Sequence, residues 1–209
     1  MTLRSALITG LASAALFATP AAFAQVATTP TQTQAQTPAV APAQDPDTQP
    51  TLAATYRDWQ IVCPPVAANA QGGCEMYQLL NDATGSPIAE ISIAALPLGA
   101  EFLAGATVTT PLETFLPSGL GFRIGTAETM RVEGFRVCTV VGCVVRMGLT
   151  AEEIDQLKAG STATLMIAPF IAIDQPVEIT VSLAGFTAAY DDLQTRLADA
   201  AAAARTQDQ

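Results

Sequence analysis

The sequence contains no histidine, and its only lysine is Lys158. Histidine is the commonest general base near neutral pH and the commonest metal ligand. Its absence excludes Ser-His-Asp and Cys-His catalytic sites. A Ser-Lys pair would have to use Lys158, which a predicted helix places in solvent. The chain also lacks G-x-S-x-G and Walker motifs, and the glycine-rich segment 119–125 has neither the spacing nor the following helix of a dinucleotide site. We therefore predict a protein that is not an enzyme and needs no cofactor.

Charged residues are also scarce, at 13%, and they sum to a net charge of -10. Nucleic-acid binding depends largely on Lys and Arg side chains that displace counterions from phosphates. A strongly negative protein is repelled by nucleic acid, and anionic lipid headgroups repel it for the same reason. The composition excludes nucleic-acid binding and is compatible with basic partners.

The first 24 residues have the pattern of a secretory signal peptide. Arg4 supplies the positive charge, an apolar stretch runs from Ala6 to about Ala18, and residues 22–24 form an A-x-A cleavage site. The apolar stretch is shorter than the roughly 20 residues that a membrane-spanning helix needs. We predict cleavage after Ala24, no transmembrane anchor after cleavage, and a periplasmic or secreted location that includes the outer surface.

Two low-complexity segments flank the predicted domain, which spans residues 52–193. Residues 25–51 consist mainly of Gln, Thr, Pro and Ala. Such a composition buries too little apolar surface to offset the entropy of ordering, so we predict a disordered linker. The segment 194–209 is rich in Ala, which favours a helix, but it lacks a continuous apolar stripe.

Short segments of alternating apolar and polar residues, separated by Gly and Pro, predict antiparallel strands. The predicted strands are 56–63, 74–80, 88–96, 120–124, 135–138, 143–147, 162–167 and 176–183. Crossover helices of the length that a parallel sheet requires are missing. We therefore predict an all-β fold, either a sandwich or a barrel.

One short internal helix interrupts the strands. Thr150 and Glu153 have the spacing of a capping box, Lys158 lies in the last turn and Gly160 is placed to end the helix. The acidic residues of its first turn are stabilised by the helix dipole and need no functional explanation.

The chain has four cysteines, which in an exported protein predict two disulfides. Three pairings are possible, and proximity in sequence favours Cys63–Cys74 and Cys138–Cys143. The alternative is redox chemistry at Cys138 and Cys143. That pair has C-x4-C spacing and strand-like flanks, whereas thioredoxin-type enzymes use C-x-x-C at a helix N-terminus. Unequal spacings and an oxidising compartment argue against zinc, and we predict no metal site.

Two aromatic residues near the C-terminus, Phe186 and Tyr190, permit two interpretations. Phe186 could fill the core after the last strand. Alternatively, the two rings could form an exposed patch that binds a partner. A further possibility, in a different class, is a small ligand bound in a cleft at the edge of the sandwich.

Several segments together resemble the invasion-associated locus B family of exported Gram-negative bacterial proteins. The resemblance covers roughly residues 55–192 and follows the order of five motifs. These are D-W-Q-I-V-C from Asp58, C-E-M-Y-Q from Cys74, L-P-S-G-L from Leu116, C-x4-C from Cys138 and V-S-L-A-G-F-T-A-A-Y from Val181.

The resemblance implies an immunoglobulin-like β-sandwich in the periplasm or at the outer surface. The family is named for an association with host-cell invasion and has no accepted catalytic residues, so none is transferred. The implied function is that of a non-enzymatic cell-envelope protein. It would act through an unknown envelope or host protein or through envelope integrity.

Overall fold

The structure, a computed structural model, describes residues 49–65, 73–82, 84–97 and 99–207. The predicted signal peptide and residues 25–48 of the predicted linker lie outside the described residues. Eleven strands are described: β1 Thr51–Tyr56, β2 Trp59–Cys63, β3 Glu75–Asn81, β4 Pro87–Ala95, β5 Ala104–Thr110, β6 Leu120–Ile124, β7 Arg131–Glu133, β8 Phe135–Thr139, β9 Gly142–Leu149, β10 Thr162–Ile167 and β11 Val177–Ser182.

The strands form two sheets, and every pairing in them is antiparallel. The larger sheet has seven strands in the order β1-β2-β3-β4-β5-β9-β8, and the smaller has four in the order β11-β10-β6-β7. Alternate side chains from both sheets form one hydrophobic core, including Trp59, Ile61 and Ile91 from the large sheet and Phe122 and Leu165 from the small sheet. The predicted mostly-β sandwich is confirmed.

Helix α1, Ala151–Ala159, connects the two sheets and confirms the predicted internal helix. The Thr150 hydroxyl accepts a hydrogen bond from the Glu153 backbone N–H at 3.2 Å, and the Glu153 carboxylate accepts one from the Thr150 N–H at 2.9 Å. This capping box satisfies N–H groups that lack partners within the helix. Ile154 and Leu157 are buried, so the helix packs one face on the core.

The segment 56–63, predicted to be one strand, is instead the turn of a hairpin followed by a strand. Tyr56 ends β1, Trp59 begins β2, and Arg57 between them has a φ of 56°. A non-glycine residue with positive φ is uncommon. Arg57 and Asp58 include no glycine or asparagine, the residues typical of tight turns. The alternation of apolar and polar residues therefore continues across the turn and indicates a single strand.

Strand β5 was missed by the sequence prediction. Its residues are Ala, Gly, Val and Thr, whose small or weakly apolar side chains give little alternation in hydrophobicity. Nevertheless every second residue is buried, from Ala104 to Thr110. The strand lies between β4 and β9, where larger neighbours fill the core.

Helix α2, Phe186–Gln207, crosses the predicted boundary between the domain and the tail at residues 193 and 194. Phe186, Ala189, Tyr190 and Leu193 are buried and recur at helical spacing. All four buried residues precede residue 194, in the part of the chain assigned to the domain. The segment 194–209 therefore has no apolar stripe of its own. No described helix is both long and apolar enough to span a membrane.

Candidate functional site

The D-W-Q and S-L-A-G-F motifs meet where the end of β11 contacts β2 and β3. We call this contact the Ser182 junction. The Trp59 indole N–H donates to the Ser182 carbonyl at 2.9 Å. The Gln78 amide donates to the same carbonyl at 3.0 Å and accepts from the Ser182 N–H at 2.9 Å. Gln78 lies buried between core residues of β3, and these bonds offset the cost of burying its amide.

The turn before Trp59 is fastened to the same junction. The Ser182 hydroxyl donates to the Asp58 carboxylate at 2.5 Å, and the Asp58 N–H donates to the Ala184 carbonyl at 3.3 Å. Gly185 has a φ of 88°, and a Cβ atom there would lie 2.0 Å from the Tyr56 carbonyl oxygen. The junction therefore uses the polar groups of both motifs for structure.

Of the two interpretations of Phe186 and Tyr190, a place in the core and an exposed patch, the burial of both rings agrees with the first. Their exposed fractions are 0% and 3%. Phe186 packs edge-on against Trp59, with ring centroids 5.5 Å apart, and stacks on Tyr190 at 6.0 Å. The first turns of α2 face the sheet, which encloses both rings. Burial raises the pKa of the Tyr190 hydroxyl, which donates to the Leu103 carbonyl at 3.3 Å.

Lys158, assigned to solvent in the sequence analysis, links the two helices instead. Its ammonium group lies 2.7 Å from the Asp191 carboxylate and 5.0 Å from the centre of the Tyr190 ring. The ammonium group is thus engaged by an ion pair and a ring face, which disfavours a Ser-Lys site at this residue.

The structure contains the two disulfides that sequence proximity favours, in different surroundings. Cys63–Cys74 joins the end of β2 to the start of β3, and both residues pack against the core. Cys138–Cys143 joins directly paired residues of the β8–β9 hairpin, with Cα atoms 3.9 Å apart. Cys138 is exposed and Cys143 is buried. Neither bond lies at the start of a described helix, the position that activates thiolates in thioredoxin-type enzymes.

A groove of about 450 Å³ opens on the outer face of β2, β3 and β4, beside Cys63–Cys74. We call it the outer groove. Its floor includes Gln60, Tyr77 and Ser92, which lie side by side across the three strands. The other described lining residues are Pro50, Val62, Pro64, Gly73 and Glu75. None of these eight residues is basic, so the groove combines apolar and acidic character.

Tyr77 is the aromatic residue of the outer groove. Its hydroxyl donates to the Glu90 carboxylate at 3.0 Å. Burial, this hydrogen bond and the negative charge of Glu90 raise the pKa of Tyr77 to about 12. The hydroxyl therefore stays protonated at neutral pH, where it can hold Glu90 in place beside the groove.

The outer groove was not predicted from the sequence. Its floor residues occupy the outward positions of strands whose inward positions had been recognised as core. The alternation of apolar and polar residues shows only that these side chains face away from the core. The one sequence feature that could have indicated a binding surface was the aromatic residue Tyr77 among them.

The same outer face continues into a second groove of about 490 Å³ at β3, β4 and β5. Leu79, Ile88, Pro111 and Val141 contribute apolar surface, and Glu90 again contributes the charge.

Among the described residues, no three Cys, Asp or Glu side chains are grouped so that they could hold a metal ion.

These features define an antiparallel β-sandwich that is stapled by two disulfides and whose sequence motifs build the Ser182 junction. The profile of the Invasion associated locus B (IalB) protein family matches residues 59–194. The chain belongs to this family.

Relatives and a solved structure agree with this assignment. Two invasion protein B homologs, from Brucella abortus strain 2308 and from biovar 1 strain 9-941, are each 26% identical over 145 residues, covering 69% of this chain and 80% of theirs. The crystal structure of invasion associated protein b from Bartonella henselae superposes with a TM-score of 0.59 at 21% identity, covering 69% of this chain and 97% of that one. At this identity the superposition shows the shared fold.

Proposed function

We propose that this protein is an exported, non-enzymatic cell-envelope protein that binds another protein through the outer face of its seven-stranded sheet. The observation that carries the proposal is the outer groove, which is open, partly apolar and close to a disulfide that fixes its end. Concave surfaces with apolar lining and a few placed polar groups are the usual form of a binding site.

The lining of the outer groove indicates the chemistry of the partner. Tyr77, Val62 and two prolines offer apolar contact, while Glu75 and the nearby Glu90 supply negative charge. A partner segment with alternating apolar and basic side chains would complement both features. The net charge of -10 would attract such a segment from a distance.

Export is supported by the N-terminal signal pattern and by two disulfides, which persist in oxidising compartments. We place the protein in the periplasm or at the outer surface of a Gram-negative bacterium. The relatives are named as invasion proteins, which makes a host protein a candidate partner beside a protein of the envelope. Envelope integrity is the role that an envelope partner would imply.

Site-specific photo-crosslinking in intact cells tests the proposal. A photoreactive residue at Gln60 would lie on the floor of the outer groove, and one at Thr180 would lie exposed on the opposite sheet as a matched control. We expect mass spectrometry to identify a defined protein adduct from position 60 and none from position 180. Identical adducts from both positions, or none from either, would contradict the assignment of the groove.

The non-enzymatic part of the proposal has a separate test. If pull-downs from envelope extract recover no specific partner while the purified protein turns over a substrate, the protein is an enzyme and this part is wrong.

The second candidate function is a thiol–disulfide redox response at Cys138 and Cys143, and the exposure of Cys138 is the observation that favours it. A regulatory bond must be accessible to a reducing thiol. The measurement is the reduction potential of this pair. A value below about -300 mV is typical of a structural bond and would eliminate the candidate.

A further inference from the structure

Three loops meet at one end of the sandwich and form a surface that we call the apolar tip. They are the β5–β6 loop from Pro111, the β8–β9 turn at Val140 and Val141, and the β10–β11 loop from Ala168 to Ile173. Thr110, at the end of β5, pairs with Cys143, the second residue of β9 after the β8–β9 turn. The Thr110 hydroxyl accepts a hydrogen bond from the Thr114 hydroxyl at 3.2 Å.

The β5–β6 and β10–β11 loops are joined by their backbones. The Phe115 N–H donates to the Ala168 carbonyl and the Phe170 N–H to the Glu113 carbonyl, each at 2.7 Å. The three loops therefore present one connected surface instead of three separate projections.

Exposed apolar side chains concentrate at this end of the molecule. Of the eleven large hydrophobic residues that are exposed in the described chain, seven lie in these loops: Leu112, Leu116, Val140, Val141, Phe170, Ile171 and Ile173. Val140 is 95% exposed and Ile171 is 87% exposed. Single exposed apolar residues are normal on a protein surface, but a cluster marks a place of interaction.

The chemistry of the apolar tip favours a lipid surface over a protein. Protein hot spots are enriched in Trp, Tyr and Arg and poor in Leu and Val. The seven exposed tip residues are Leu, Val, Ile and Phe, which partition readily into the boundary between headgroups and acyl chains. They are also carried on loops that project from the strand ends, a shape that can enter a bilayer surface.

Part of the backbone of the β10–β11 loop and of the β8–β9 turn is already hydrogen-bonded within the protein. The Ala172 N–H donates to the Pro169 carbonyl at 3.1 Å and the Gln175 N–H to the Ala172 carbonyl at 3.0 Å. In the β8–β9 turn the Val141 N–H donates to the Thr139 hydroxyl at 3.3 Å. Since unpaired backbone groups are costly in lipid, these bonds lower the cost of inserting the loops.

Charge selects the kind of lipid. Glu113 and Asp174 lie beside the exposed apolar residues, and the chain carries a net charge of -10. Anionic headgroups would repel this surface, whereas zwitterionic headgroups would not.

We propose that the apolar tip attaches the protein peripherally to a bilayer of zwitterionic phospholipid, with Phe170 and Ile171 entering the interface. Of the proposed function this inference needs only export, which brings the domain to an envelope membrane. The test below uses purified protein, so its outcome does not depend on whether the outer groove has a partner.

The experiment is flotation of the exported, purified protein with vesicles of phosphatidylcholine and phosphatidylethanolamine. We expect the protein to float with the vesicles and the double variant Phe170→Ser/Ile171→Ser to lower the partition coefficient about tenfold or more. Leu52→Ser is the matched control, because Leu52 is 61% exposed on β1, at the opposite edge of the large sheet from the β8–β9 turn, and it should partition as the unchanged protein does.

A second variant is expected to change vesicle partitioning in the opposite direction. Ile171→Trp should increase partitioning, since Trp prefers the membrane interface, and an unchanged circular dichroism spectrum would exclude unfolding as the cause of the gain. The proposal is overturned if the unchanged protein does not float, if Leu52→Ser loses as much as the double variant, or if flotation requires anionic lipid.

Discussion

The Ser182 junction and the apolar tip lie at the two ends of β11 and use their side chains in opposite ways. Ser182 is the last residue of the strand, and at this end Asp58, Trp59 and Gln78 direct their polar groups inward to one another. The loop that precedes Val177 belongs to the apolar tip and directs Phe170 and Ile171 outward. The D-W-Q and S-L-A-G-F motifs therefore stabilise the fold, while Phe170 and Ile171 of the apolar tip lie outside the five motifs.

The largest effect is expected from breaking the junction at its centre with Trp59→Ala. Trp59 is fully buried, and its indole both fills the core and donates to Ser182. Removing a buried tryptophan side chain costs about 4 kcal/mol of the free energy of unfolding. Urea unfolding followed by far-UV circular dichroism measures the change, since the variant has no tryptophan fluorescence.

Trp59→Phe separates the hydrogen bond from the volume. The ring remains, but the donor to the Ser182 carbonyl is lost, and we expect a smaller cost of about 2 kcal/mol. If both variants unfold at the same urea concentration as the unchanged protein, the junction is not a stabilising element.

The second prediction tests the close approach at Gly185. Gly185→Ala would place a Cβ atom 2.0 Å from the Tyr56 carbonyl and also strain a backbone with φ of 88°. The clash and the strain together should cost about 3 kcal/mol. Gly125→Ala is the control, because Gly125 has a φ of 56° but nothing within 4 Å of its added Cβ, so it carries the strain alone at about 1 kcal/mol. If Gly185→Ala and Gly125→Ala lose the same stability in thermal denaturation, Gly185 does not pack closely against the β1–β2 hairpin.

The third prediction compares the two disulfides. Cys63→Ser/Cys74→Ser opens a separation of 11 residues beside the outer groove, and Cys138→Ser/Cys143→Ser opens one of 5 residues next to the apolar tip. The loop-closure entropy predicts losses of about 3 and about 2 kcal/mol respectively. Because Cys63 and Cys74 also pack against the core, the first loss should exceed the second in urea unfolding. The reverse order would mean that the exposed hairpin contributes more to the fold than its surroundings indicate.

The features of the fold that depend on neighbouring residues could be predicted from the sequence, and those that depend on distant contacts could not. Patterns that depend on neighbouring residues were read correctly, including the strand at Trp59–Cys63 and the capping box at Thr150. The hairpin turn at Arg57 was missed because its positive φ suits a two-residue turn but has no glycine or asparagine to signal it, and the contacts that hold the turn come from Ala184 and Gly185, more than a hundred residues away. Local signals cannot report such a constraint.

The candidate sites were less predictable than the fold. The sequence leaves both a core position and an exposed patch open for Phe186 and Tyr190, and only the packing of α2 on the sheet shows that both are buried. Ile171 and Val140 belong to short apolar segments that alternation cannot distinguish from core strands. Their exposure follows from where the loops lie after the strands pair, which is a property of the tertiary structure.

The smallest effect on stability is expected at the apolar tip, in contrast to the large effect expected at the Ser182 junction. Phe170→Ser/Ile171→Ser changes two side chains that are 67% and 87% exposed, so the free energy of unfolding should stay within about 0.5 kcal/mol of the unchanged protein. The same variant is expected to lose about tenfold in vesicle partitioning. Urea unfolding and flotation on one preparation therefore distinguish a surface kept for binding from one kept for folding. A loss of more than about 2 kcal/mol would show that Phe170 stabilises the fold through its ring contact with Phe115, whose centroid lies 6.4 Å away.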